Sequence, residues 1–435
     1  MATDRIIYQS ESLFVSPHTK SGNLGSSDIK EINRVQDMSY NLEVTRTDIN
    51  EFGQLAALSR EVTEPPTVSL DFTYFLTDGT QESALGFDLN QYSKLPLDNA
   101  TPMTAGVLAG TTEEKNYYIV TAPEGQDVHG GNLEDGKHGV IGIGNGFITS
   151  YGISAAVGEL ASASVSVEAS NIMFKNNLAG GFQNPSVDVT SSTGARLTNF
   201  VRFNSSNTVV TPTGTNLGSG TPLASSDGDI ESNYTSNEIF ALRPGDISID
   251  FDAVGWLKGT KSVGDLGTGG AILDGSGGTA PTEKSTAHIQ NVSIDVPIGR
   301  SPLNKLGNHY AFARKTDFPV NMTLSASALM TDFSDGSLDG LICGGEQKRD
   351  IAIIMKNRCG KSTPLVFVMR NAILDTQAFS ASIGDNKTVD LTFSSQVGGA
   401  NDSENGIFLL AEPGNPAVPM YQETATPDAY KTPTP

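Results

Sequence analysis

The chain has 435 residues, with 28 basic against 49 acidic side chains and a formal charge of −21, a balance that repels nucleic acid and lacks the basic stripe of a sequence reader. No apolar run approaches the roughly 18 residues of a membrane-spanning helix, and two cysteines, Cys343 and Cys359, exclude a disulfide framework. A hydrophobic content of 37%, with abundant Gly, Ser, Thr and Asn, suits β-structure rich in turns, on a length that allows two or three domains.

In chain order, residues 1–5 have no basic segment leading into an apolar one, so no signal peptide is expected; synthesis in a cytoplasm that keeps thiols reduced is the simplest account. Met38, Tyr40, Leu42 and Val44 alternate with polar residues, as do Val68, Leu70, Phe72, Tyr74 and Leu76. Period two over such lengths predicts half-buried strands. Between them Asn50-Glu51-Phe52-Gly53 marks a turn. The segment 81–91, with Leu85 and Leu89 at helical spacing, is the one helical signal of any size. Tyr117-Tyr118-Ile119-Val120 and a Gly-rich return through 139–146 predict a hairpin. Gly139, Gly142, Gly144 and Gly146 have the wrong spacing for a dinucleotide fingerprint and read as flexible strand ends. The stretch of about 172–236 reads as an insertion rich in Gly, Ser, Thr and Asn, either a flexible surface loop or an arm ordered by neighbouring subunits.

The second half repeats the pattern. Val292, Ile294, Val296 and Ile298 alternate, the turn Asn304-Lys305-Leu306-Gly307 follows, and Met322, Leu324, Ala326, Ala328 and Met330 alternate again. A short helical counterpart is expected at 335–341. Ile351–Ile354 and Leu365–Val368 predict a hairpin turning near Arg358-Cys359-Gly360-Lys361. Gly360-Lys361-Ser362 imitates a phosphate loop, but Met355 stands where that pattern needs glycine, and strand residues follow where a helix should open. The stretch 411–435 holds six prolines and is expected to run extended over a surface.

The two halves match directly. Residues 35–78 align with 289–332 without a gap, at an offset of 254, and eleven of the 44 pairs are identical, Arg46/Arg300, Gly53/Gly307, Arg60/Arg314 and Pro65/Pro319 among them. Unrelated segments would share roughly two or three. Ile153–Gly158 resembles Phe379–Gly384, and Asn237–Leu242 resembles Asn405–Leu410, in the same order. Equal phase in both copies predicts that each places the same face on a core. The fold class expected is mainly β, two tandem sandwiches or half-barrels, each with a short helix.

Catalytic chemistry has no visible seat. His18, His129, His138, His288 and His309 show no metal spacing with the cysteines. His129 and His138 flank a loop with Asp127 and Asp135, a conceivable ligand set that reads more simply as solvated loop residues. No carboxylate pairs recognisably with a nucleophile or base. No enzyme activity, cofactor or metal is expected. Cys343 and Cys359 are either close enough to bond across the hairpin or two small buried thiols.

At the repeated block the chain resembles the tail tube proteins of long-tailed bacteriophages, in the variant with a duplicated tube domain. The residues that carry the resemblance are Ile289–Arg300, Ser301–Gly307, Phe312-Ala313-Arg314 leading to Asp317-Phe318-Pro319-Val320, Arg243-Pro244-Gly245-Asp246 before Ile247-Ser248-Ile249, and Thr121–Asp127. It implies a first tube domain at 1–243 containing the insertion, a second at 244–410, and an extended tail at 411–435. It further implies that three chains close a ring of six similar domains. Stacked head to tail, such rings form the conduit through which DNA leaves the virion, assembled in the host cytoplasm, with other tail proteins at the tube ends. DNA passes without sequence-specific binding, and the chain does not enter a membrane.

Within that frame Arg46, Arg60, Arg300 and Arg314 are junction candidates, forming ion pairs at domain or ring contacts; solvation of strand ends is the alternative. The acidic excess either lines the lumen, where it leaves phosphates mobile, or keeps the outer surface soluble. A β-sandwich decoration or adhesion protein of the virion is the competing reading, and a lectin-like protein a third, disfavoured by the single Trp256.

Overall fold

The computed structural model describes residues 11–18, 24, 28–91, 100–108, 113–126, 128, 136–189, 197, 199–203, 241–242, 244, 247–250, 288–329, 348–355, 365–380 and 387–411. The described fold is mainly β, as the alternating patterns predict, and no closed barrel forms within one copy.

The first half runs β1 (Glu11–Pro17), β2 (Lys30–Ile32), β3 (Val35–Glu43), β4 (Arg46–Ile49), β5 (Ser59–Val62), β6 (Thr67–Phe75), α1 (Thr80–Leu85), β7 (Leu89–Asn90), α2 (Ala105–Leu108), β8 (Lys115–Thr121), β9 (Gly139–Ala156), β10 (Ser162–Ala169), β11 (Asn171–Lys175), β12 (Phe182–Gln183) and β13 (Phe200–Val201). The second runs β14 (Ile247–Asp250), β15 (His288–Pro297), β16 (Arg300–Leu303), β17 (Ala313–Thr316), β18 (Val320–Leu329), β19 (Arg349–Met355), β20 (Leu365–Ser380), β21 (Thr388–Val397) and β22 (Gly406–Ala411).

Four strands of each half lie side by side in the same order, β3-β6-β10-β9 and β15-β18-β21-β20. Their ladders coincide pair by pair. Tyr40 faces Leu70 as Ile294 faces Leu324, and Ala163 faces Ile153 as Val389 faces Phe379. The irregularities coincide too: the shift between Val35 and Asp37 recurs between Ile289 and Asn291. The hairpin β4–β5 pairs Arg46 with Val62, and β16–β17 pairs Arg300 with Thr316, again 254 residues on.

The long strands β9 and β20 each serve two layers. The N-terminal part of β9 lies between β8 and β11, and its C-terminal part between β10 and β15. Likewise β20 begins between β19 and β22 and ends against β21. Apolar side chains from both layers, such as Tyr117 and Ile143 with Phe72 and Val165, join one core that continues into the second half through Leu324, Phe367 and Phe393. This is sandwich packing, with one strand per half shared between the sheets.

Several sequence expectations need correction. The helix expected over 81–91 is the six-residue α1; Gly86, at φ 96°, stops it, and Leu89 is drawn into parallel pairing with Leu409. The place that β22 takes beside β20 is taken beside β9 by β11; of the segment 237–242 matched to 405–410 in sequence, only 241 and 242 are among the described residues. Leu242 exchanges backbone hydrogen bonds with Leu76 and Ala161 at one end of β6 and β10. Gly139 opens β9, a strand end as expected, but Gly142, Gly144 and Gly146 are interior to it. A Cβ on Gly142 would stand 2.3 Å from the Phe182 ring, and one on Gly144 would stand 2.4 Å from Pro185, because the chain after β11 folds back over this strand.

The described part of the insertion is therefore packed against the first half rather than free. Leu178, Phe182, Val201 and Phe203 bury themselves against Phe14, Tyr118 and Val140 in a second, smaller core. The remainder of the insertion, the helix expected at 335–341, the turn at 358–361, both cysteines, Trp256 and the tail after 411 lie outside the described residues. No helix among the described residues is long and apolar enough to cross a membrane.

Candidate assembly interface

The two four-stranded units meet edge to edge. The last strand of the first unit, β9, pairs antiparallel with the first strand of the second, β15, from Ser150↔Pro297 to Ala156↔Asn291. Val157 N–H donates to Gln290 O (2.9 Å) and Ile298 N–H to Thr149 O (2.7 Å), extending the joint at both ends. Period-two alternation gives both strands one apolar face. Tyr151, Ile153 and Ala155 therefore bury on the same side as Val292, Ile294 and Val296. Ile153 stands directly opposite Ile294. Each fully buried aliphatic side chain here contributes about 1.5–3 kcal/mol.

Two of the four arginines singled out in the sequence cross this joint. Arg300, at the start of β16, has a fully buried guanidinium. Its Nε donates to Ile148 O (3.2 Å), Nη1 to the Glu113 carboxylate (2.5 Å) and Nη2 to Val107 O, and the group lies 5.1 Å from the centre of the Phe147 ring. All of these partners belong to the first half. Arg314, on β17, donates from Nη1 to the carboxylate of Glu168 on β10. Their counterparts are placed differently. Arg60 pairs at 2.8 Å with Asp48 inside its own exposed hairpin, an arrangement worth little in water, and Arg46 is exposed without a partner among the described residues.

Among the described residues the continuous sheet ends in two margins without a further strand. One is the outer side of β3; the other is the stretch 373–380 of β20, which is hydrogen-bonded to β21 on one side only. Each margin keeps the apolar phase that is buried at the internal joint, yet here it meets solvent. Tyr40 is 41% exposed, Leu42 48% and Phe379 52%, whereas Ile294 and Ile153 are 2% and 3% exposed. Sequence reading found the alternation but not the exposure, since both copies carry the same pattern. Long margins with apolar side chains are templates for further pairing.

The opposite face of this eight-stranded surface is chemically uniform. Between the strand ends it displays Ser39, Asp71, Ser164, Ser154, Asp295, Ser325, Asp390 and Thr376, one from each strand and all exposed or half-buried. No lysine or arginine occurs in β3, β6, β9, β10, β15, β18, β21 or 373–380. These strands bring short hydroxyls and spaced carboxylates to the face and no cation of their own; Arg314, from β17, reaches it only at Glu168, with which it is ion-paired.

The hairpins β4–β5 and β16–β17 project apolar tips. Ile49, Phe52 and Leu58 are exposed on the first, and their equivalents Leu303, Leu306 and Phe312 on the second. Gly53 and Gly307, at φ 98° and 82°, supply the left-handed turn both tips need.

No group of three or more His, Cys, Asp or Glu side chains that could hold a metal ion occurs among the described residues. His18 contacts Ser186 (3.0 Å) and Glu114 (3.4 Å), and His138 is buried. His129, Asp127 and Asp135 lie outside the described residues.

No known family model matches the chain, and no curated protein matches it in sequence. Among solved structures the chain is similar to the SPP1 tail tube, at 11% identity with a TM-score of 0.25, covering 40% of this chain and 80% of that one. It is also similar to the tail of an empty GTA particle solved with C6 symmetry, at 12% identity with a TM-score of 0.19, covering 32% of this chain and 92% of that one.

Proposed function

We propose that the chain is a structural subunit of a phage-type tail tube, self-assembling into rings that stack into a conduit for DNA. One observation carries the reading: two four-stranded units of the same strand order and register are joined through β9 and β15, leaving the same two kinds of margin open at the outer ends among the described residues. A head-to-tail joint that leaves its own complements unfilled continues until the row closes on itself. Closure removes every exposed margin, which a solitary open sheet cannot do. Three chains, each supplying two units at 1–243 and 244–410, make a ring of six.

The chemistry of the outer face supports the same role. Turned toward a lumen, hydroxyls and carboxylates without cations leave a polyanion free to slide. The carboxylates facing it include Asp37, Glu43, Asp71, Asp295 and Asp390, whereas Glu168 on the same face is taken up by Arg314. The exposed apolar hairpin tips supply contact area between successive rings. The role is structural and not enzymatic, the site of action is the virion tail, and other tail proteins cap the ends of the tube.

Negative-stain microscopy of the purified chain tests the reading. Rings or tubes with a central lumen are expected. Compact single particles at every concentration, or independent bead-like units without polymer, overturn it in favour of a decoration or adhesion protein.

A further inference from the structure

The internal joint is a template for the contact between chains. We infer that β3 of one copy pairs with residues 376–380 of a second copy in the register that joins β15 to β9. The inference rests on the self-assembly reading above and specifies which residues meet.

The register follows from the two equivalences already described. Residues of β15 correspond to β3 at an offset of 254, and residues of β9 correspond to β20 at an offset of 226, as their shared ladders require. The internal pair Ile294↔Ile153 therefore becomes Tyr40↔Phe379 between chains, and Ser293↔Ser154 becomes Ser39↔Ser380. Asp295↔Gly152 becomes Asn41↔Ala378, and Val296↔Tyr151 becomes Leu42↔Gln377.

Three features of the open margins fit. Tyr40, Leu42 and Phe379 are the exposed apolar side chains of the phase that the internal joint buries. Tyr40 and Phe379 would form a cross-strand aromatic pair, a favourable combination on adjoining strands. Arg46 occupies the place of Arg300. In the second copy it would lie over Ile373 and donate to the Leu374 carbonyl, as Arg300 lies over Phe147 and donates to the carbonyl of Ile148. An arginine that is exposed in one copy and satisfied in its repeat marks the contact left to make.

Disulfide trapping tests this in the full-length chain with Cys343→Ser and Cys359→Ser as background. Directly opposed strand residues have Cα atoms about 4.5–5.5 Å apart, within disulfide reach. Ser39→Cys with Ser380→Cys, and separately Asn41→Cys with Ala378→Cys, should give covalent multimers on non-reducing gels. Ser39→Cys with Thr376→Cys is the control, displaced by four residues or about 13 Å, and should link at least about tenfold less.

Assembled particles in which neither opposed pair links, or in which the displaced pair links equally well, overturn the seam while leaving self-assembly intact. Cysteine variants and background protein that all remain monomeric overturn both.

Discussion

Asn145 and Asn371 hold the same left-handed backbone conformation, at φ 55° and 50°, at equivalent points of β9 and β20. Each marks the place where its strand leaves one sheet for the other. Each peptide N–H is caught by a side chain of the preceding strand, Asn145 by Asn116 Oδ1 (3.2 Å) and Asn371 by Asp350 Oδ1 (3.1 Å). Asparagine tolerates this conformation better than other side chains, so the bend has a chemical address in both copies.

That address predicts an order of stability. Asn145 also bonds Val187 through both amide atoms, at 3.1 and 2.8 Å, and is buried. Asn145→Val should destabilise the chain most, by about 3 kcal/mol or more, combining backbone strain with unsatisfied polar groups. Asn371→Val should cost about 1–2 kcal/mol. Asn371→Gly should stay within about 1 kcal/mol of wild type, because glycine accepts the conformation. Urea unfolding of the three variants checks the order.

The paired arginines should separate cleanly. Arg300→Ala leaves the Glu113 carboxylate and two carbonyls without their buried donor and should cost about 3–5 kcal/mol in the unfolding of a single copy. Arg46→Ala, at the equivalent residue on an exposed hairpin, should change single-copy stability by less than about 0.5 kcal/mol while weakening association. Denaturant melts at low protein concentration, set beside sedimentation at high concentration, distinguish the two.

A charge at the open margin should block association without harming the fold. Tyr40→Lys places an ammonium where a second strand would dock, a device natural sheets use against pairing. The variant should melt within about 1 kcal/mol of wild type and remain monomeric by sedimentation. Leu70 is not a suitable place to test a margin, because it is completely buried in the interior strand β6, and proline there would disrupt the sheet itself.

Glu82 should make stability depend on pH. Its carboxyl is buried beneath both sheets, where Oε1 accepts from Tyr74 Oη (2.8 Å) and Tyr151 Oη (3.0 Å). Burial raises its pKa above the ordinary 4.5 despite these donors. The folded state thus holds its proton after the unfolded chain has released it. The contribution is complete below the ordinary carboxylate value and declines as pH rises through the elevated folded value. Glu82→Gln removes the titration but keeps an acceptor for the tyrosines. Its urea midpoint should therefore gain on wild type as pH climbs above 4.5.

Much of this arrangement was legible in the letters. The alternation of 35–78 and 289–332 predicts β3, β6, β15 and β18, and Gly53 and Gly307 mark turns, because period two and turn glycines are local properties; the short hairpins β4–β5 and β16–β17 around those turns carry no such signal. The bends at Asn145 and Asn371 were not visible, since one asparagine inside an apolar strand carries no distinctive pattern. Gly142 and Gly144 do not read as interior from sequence because their reason is a distant segment, Phe182 to Ser186, lying against them. Nor does a repeat distinguish Arg300 from Arg46. Only the joint breaks their equivalence, by giving β9 a neighbour that the end of β20 lacks among the described residues.

The two projecting hairpins leave strands β3 and β15, which occupy the first and fifth places of an antiparallel row and therefore run in the same direction. Both hairpins therefore leave the sheet at the same end. Any ring assembled through this joint carries all its hairpins at one rim, and a stack of such rings has a front and a back. A cylinder built this way carries its sense of direction in every layer.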